Sequence, residues 1–112
     1  MRRSSMFPVL AALILIAVVA LAGVALAATK TVGVKKAGSR WHFTTSNLTI
    51  KKGDTVRWSW SGKVAHNVFG PGFHSRTGPK VTFDHKFAKA GTYKVVCQIH
   101  AGLGQRMNVI VR

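Results

Sequence analysis

The sequence predicts an all-β domain behind an apolar leader, with a sandwich or barrel as its architecture. Three observations carry this expectation. Short runs alternate apolar and polar residues, as in Val56, Trp58 and Trp60 against Arg57 and Ser59. Turn residues punctuate the chain at Lys52-Gly53-Asp54, Gly70-Pro71-Gly72, Gly78-Pro79 and Ala90-Gly91. No stretch after residue 28 keeps a helical period, and no repeat is visible.

The leader comes first. Arg2 and Arg3 precede an apolar run from Met6 to Ala28, broken only by Pro8 and Gly23. Ala25-Leu26-Ala27 fits a small-x-small cleavage site. The run exceeds a usual signal core of about 7–15 residues and approaches the ~20 that span a bilayer. Two outcomes follow: cleavage near Ala27, or retention as an N-terminal membrane anchor through residues 6–28. Residues 1–28 are thus read as a signal or anchor helix and 29–112 as the folded domain. Either way the domain is expected outside the cytoplasm, whether periplasmic, secreted or held at the outer face of the membrane.

The strands follow in order. Thr29 to Ser39 reads as a linker entering a first strand, with Val32 and Val34 alternating. Trp41 and Phe43 make a second pair, and Leu48 and Ile50 a third that ends at the Lys51–Asp54 turn. Val56, Trp58 and Trp60 share a buried face, and Ser61-Gly62-Lys63 is expected to end that strand. Val64 to Lys80 reads as irregular. Val81 and Phe83 open another strand, and Phe87 continues its face. Tyr93, Val95 and Cys97 alternate next, and Val109 and Val111 close the chain.

Charge narrows the classes of function. The chain has 17 Lys and Arg against Asp54 and Asp84, a net charge of +15. With two acids in all, no carboxylate pair is available for acid–base catalysis, and an enzyme is not expected. So basic a surface suits an acidic protein or anionic lipid headgroups. Nucleic acid is not expected, because the domain is exported and no helix carries a basic stripe.

Cys97 is the only cysteine, so it has no internal disulfide partner. In Cys97-Gln98-Ile99-His100 a histidine follows it at C-x-x-H spacing. Thiolate and imidazole together suit copper, zinc or iron. A second histidine is needed, and four are available. His42 lies on the outer face of its strand, between Trp41 and Phe43. His74 sits in the Gly/Pro loop and is expected in solvent. His85 shares the parity of Phe83 and Phe87 and is expected at the core edge. His66 follows the Trp58–Trp60 strand directly. Were the ends of these two strands to meet in a sandwich, His66, Cys97 and His100 would converge, a trigonal set suited to blue copper.

Here the chain resembles the cupredoxins, the plastocyanin and pseudoazurin family of small blue copper proteins. The matching pieces are Leu48-Thr49-Ile50-Lys51-Lys52-Gly53-Asp54-Thr55-Val56, Ala65-His66-Asn67-Val68, Phe87-Ala88-Lys89-Ala90-Gly91-Thr92-Tyr93 and Cys97-Gln98-Ile99-His100. The resemblance implies a Greek-key β-sandwich with one copper ion at its loop end. It implies ligation by the imidazoles of His66 and His100 and the thiolate of Cys97. It also implies one-electron transfer between Cu(I) and Cu(II); the basic surface would steer acidic redox partners, met transiently, and a monomer is expected. The edge of His100 would be the electron port, within a small patch of Gly102, Leu103 and Gly104.

The chain departs from the family at the axial position, where a methionine usually follows the second histidine. Laid over the family without gaps, that position is Gln105. Met107 takes it if the loop has grown by two residues, and otherwise it is empty, with Leu103 nearby. The closing strand Asn108–Val111 favours the ungapped register, and hence an axial amide oxygen from Gln105. Copper carriage or storage at the same site is the alternative to electron transfer. A purely structural β-domain and a zinc site are weaker rivals.

Overall fold

The computed structural model describes residues 26–112. The leader reading falls almost wholly outside these residues. Ten strands form: β1 (Thr29–Val32), β2 (Val34–Ala37), β3 (Arg40–Phe43), β4 (Asn47–Ile50), β5 (Thr55–His66), β6 (Phe69–Gly70), β7 (Phe73–His74), β8 (Gly78–Lys86), β9 (Gly91–Val96) and β10 (Arg106–Val111). The single helical element among the described residues is a 3-10 turn, Ala101–Leu103.

The strands pair as β1-β5-β8 in one sheet, β4-β10-β9-β6-β7 in a second, and β2-β3 as a ribbon. β1 runs parallel to β5 and β4 parallel to β10, while the other pairings are antiparallel. The inward rows are those the alternation marks: Val56, Trp58 and Trp60 from β5, Val95 and then Cys97 from β9, and Met107, Val109 and Val111 from β10.

Trp58 joins the two large sheets. Its ring lies 6.0 Å from those of Phe73 and Phe83 and 6.5 Å from that of Phe87. Its Nε1–H donates across the core to Met107 Sδ at 3.4 Å. Gly70 exists to admit Phe73, because a Cβ there would overlap the Phe73 ring.

Three expectations are corrected. Thr29–Ser39 is not a linker, since β1 pairs along its length with Thr55–Trp58. β5 does not end at Ser61–Lys63. Its register shifts between Ser61 and His66, where five steps along β5 are matched by two along β8. This bulge absorbs Gly62 and Lys63 and carries the strand on to His66. The stretch 64–80 is not wholly irregular, because β6, β7 and the start of β8 lie in it. In the Lys51–Asp54 turn only Gly53 adopts positive φ. Asp54 serves instead as an acceptor, taking the backbone N–H of Lys51 at 3.0 Å and of Ala28 at 2.9 Å. These two bonds hold its carboxyl below the usual carboxylate range.

Asp84 makes a bidentate pair with Arg57, at 2.8 and 2.9 Å. The guanidinium likewise lowers the Asp84 pKa. The pair is half exposed, so it contributes little stability. Its consequence is electrostatic: both acids of the chain are engaged.

His85 stacks on Phe73 at 4.2 Å, at the core edge as its parity indicates. Burial pushes its pKa below the ordinary value. The unfolded chain therefore takes up this proton first as pH falls. The metal-free protein should lose stability as pH drops below about 6.5 and continue to do so down to the depressed folded value. Urea midpoints across pH 7.5 to 5 will check this. His85→Phe should flatten the profile in part, since His66 contributes in the same sense. An unchanged slope would refute the assignment to His85.

Candidate metal centre

β9 delivers the first ligand atom. Its inward row ends at Cys97, which is fully buried. The Cys97 N–H donates to the Gln105 carbonyl at 3.0 Å, closing the loop 98–104 at its base. Inside the loop, His100 N–H donates to the Cys97 carbonyl at 3.2 Å. The His100 carbonyl accepts from Leu103 and Gln105. The 3-10 turn leaves through Gly104, at φ +96°. A Cβ there would lie 3.1 Å from His42 Cε1, so glycine is needed both for the turn and for this close approach. His42 is therefore half-buried against the loop rather than simply on the solvent face.

β5 delivers the second. Beyond its bulge the strand turns inward again at His66, which is 3% exposed. The next residue ties the two loops together. Asn67 N–H points at Cys97 Sγ, 3.5 Å away. Its side chain exchanges hydrogen bonds with Gln98, donating to Oε1 and accepting from the backbone N–H, both at 2.8 Å.

The ligand atoms of His66, Cys97 and His100 all lie within 4.8 Å of one another, an arrangement suited to a metal. Cys97 Sγ is 3.7 Å from His100 Nδ1, and the two imidazole centroids are 4.9 Å apart. Burial pushes the His66 pKa down. Its contact with Gln105 opposes this, and the charge of His100 adds to it. The imidazole thus stays neutral at pH 7, the form that can ligate.

Gln105 also belongs to this cluster. It continues the inward row of β10, is fully buried, and places Oε1 3.0 Å from His66 Nδ1. Its Nε2 has no hydrogen-bond partner among the described residues. Met107 faces the core two residues on, with its sulfur engaged by Trp58. Leu103 is 45% exposed and points away from the interior. His74 is in solvent and His85 lies at the core edge, so neither joins the cluster.

Two features were not read from the sequence. Trp41 packs edge-on to His66 at 4.7 Å and lies 5.9 Å from His100, walling both imidazoles. Lys36 Nζ sits 5.5 Å from its ring centroid. The other is Asn67, the tie between the loops. The only sequence signal for it was its place directly after His66.

The PKD domain family model matches residues 23–107. The plastocyanin of Scenedesmus fuscus is 29% identical over 84 residues, which covers 62% of this chain and 86% of that protein. Amicyanins are nearer in sequence. That of Paracoccus versutus is 30% identical, with a TM-score of 0.58 and coverage of 81% of this chain and 87% of that one. A mutant amicyanin in its Cu(I) form is 30% identical, with a TM-score of 0.59 and coverage of 81% and 88%. A purple cupredoxin from Nitrosopumilus maritimus shares the fold at 24% identity, with a TM-score of 0.62 over 74% of this chain and 99% of that one. By the family model that matches residues 23–107 the chain falls in the PKD domain family, and by its identity to the amicyanins together with the cluster of His66, Cys97 and His100 it belongs to the cupredoxins.

Proposed function

We propose that this protein is an exported type 1 copper protein that carries one electron at a time. The observation that carries the reading is the convergence of one thiol and two imidazoles at one end of the sandwich, within 4.8 Å. The donor set fits copper: a soft sulfur, two borderline nitrogens, and a weaker amide oxygen from Gln105 beside them. The amicyanin match includes a Cu(I) form. Bound copper would supply the Cu(I)/Cu(II) couple.

The chain's own residues supply the rest. Cys97 is held by its backbone bond to Gln105 and by the Asn67 N–H aimed at its sulfur, so the sulfur is positioned before metal arrives. Trp41 and the buried end of β5 keep water from His66. His100, half-buried, is the route to the surface. Around it Ile99 and Leu103 are 52% and 45% exposed, and with Gly102 and Gly104 they form an apolar patch for docking. With both acids engaged, the remaining surface is cationic and would steer acidic redox partners. Their association rate should fall steeply between about 10 mM and 0.5 M salt, and a flat profile would refute the steering. Copper carriage at the same site is the second reading. Burial of Cys97 and His66 disfavours it, since rapid metal transfer needs accessible ligands.

The test is Cu(II) titration with visible absorption and electron paramagnetic resonance. One equivalent should produce an intense thiolate-to-copper band that Cys97→Ser abolishes. A protein that stays colourless with a free thiol would overturn the reading.

A further inference from the structure

We propose that export cleavage falls between Ala27 and Ala28, and that Asp54 is the built receptor for the ammonium group this creates. The proposal is independent of copper.

Among the described residues, the backbone is first held at Ala28. Leu26, two residues ahead, is 89% exposed and only edges the recess beside Asp54. Ala28, in contrast, is held at both ends of its backbone. Its N–H donates to Asp54 Oδ1 at 2.9 Å, and its carbonyl accepts from Thr55 N–H at 2.9 Å. β1 then pairs from Thr29↔Thr55 onward. The first of the described residues that the domain grips is therefore the one after the small-x-small motif Ala25-Leu26-Ala27.

Asp54 is itself built in. It is 6% exposed, its Oδ2 is occupied by Lys51 N–H, and its carbonyl accepts from Phe87 N–H. Hydrolysis of the Ala27–Ala28 bond by a leader-removing protease consumes one water. It leaves a carboxylate on Ala27 and an ammonium on Ala28. The nitrogen already in contact with Oδ1 then carries a full charge, and a hydrogen bond charged only at its acceptor becomes an ion pair charged on both sides. Lys30, Lys51 and Arg112 line the same recess. Positive charge is already dense there, so the new ammonium gains only through direct contact with the carboxylate. Processing would thus tighten the strand it exposes.

The test uses the full-length chain produced in an exporting bacterial host. Intact mass of the exported product should place Ala28 first. The α-amino pKa, followed by NMR after isotopic dimethylation, should lie above the ordinary range of about 7.7–8.0 and return to it in Asp54→Asn. Should that variant fail to fold, a glycine inserted between Ala27 and Ala28 moves the amine one residue away and should normalise its pKa in a folded protein. Retention of the leader, a different first residue, or an α-amino pKa that neither change moves would overturn the proposal.

Discussion

Trp58→Ala will remove a large part of this protein's stability margin. The cost expected for emptying a buried tryptophan site is about 3–5 kcal/mol, against about 5–15 kcal/mol for a whole small domain. The site cannot collapse, because Phe73, Phe83 and Phe87 line it from several directions and two of them are themselves stacked. Truncation also strips Met107 Sδ of its donor. Urea denaturation of the metal-free protein will show the midpoint falling with its slope unchanged. Met107→Leu separates the two contributions. It keeps the volume and removes only the sulfur contact, so it should cost less than about 1.5 kcal/mol. A loss as large as that from Trp58→Ala would show that the bond between the sheets, rather than ring packing, dominates.

Gln105→Met will raise the reduction potential of the copper-loaded protein. An amide oxygen is a harder donor than a thioether and favours Cu(II), and a weak axial sulfur favours Cu(I). The residue is fully buried, with Oε1 3.0 Å from His66 Nδ1. Voltammetry on wild type, Gln105→Met and Met107→Leu is the measurement. The potential should move in the first variant and hold in the second. No shift for Gln105→Met would remove Gln105 from the axial position. A large shift for Met107→Leu would restore the longer-loop alternative.

Much of this site follows from parity along single strands. Gln105, Met107, Val109 and Val111 share one face, so Met107 reads as core and Gln105 as the first inward residue after the loop. Tyr93, Val95 and Cys97 give the same reading for β9. What escaped the sequence is non-local. The β5 bulge matches five steps to two on another strand, and nothing in Gly62-Lys63 alone announces that. β6 and β7 are two residues each, too short for alternation to register. Trp41 reaches the imidazoles only because the β2-β3 ribbon folds across the end of the sandwich, which no spacing within β3 encodes.

The engagement of both carboxylates has a further outcome. Two copies approaching through their His100 ends present like-signed surfaces, with no free acid to relieve the repulsion. On the proposed function, collisions between identical molecules would be rare and short at low ionic strength. Oxidised and reduced copies would therefore scramble slowly. An electron taken up by one molecule would stay there until a protein of opposite sign arrives, which makes the population a set of separate couriers rather than a shared pool.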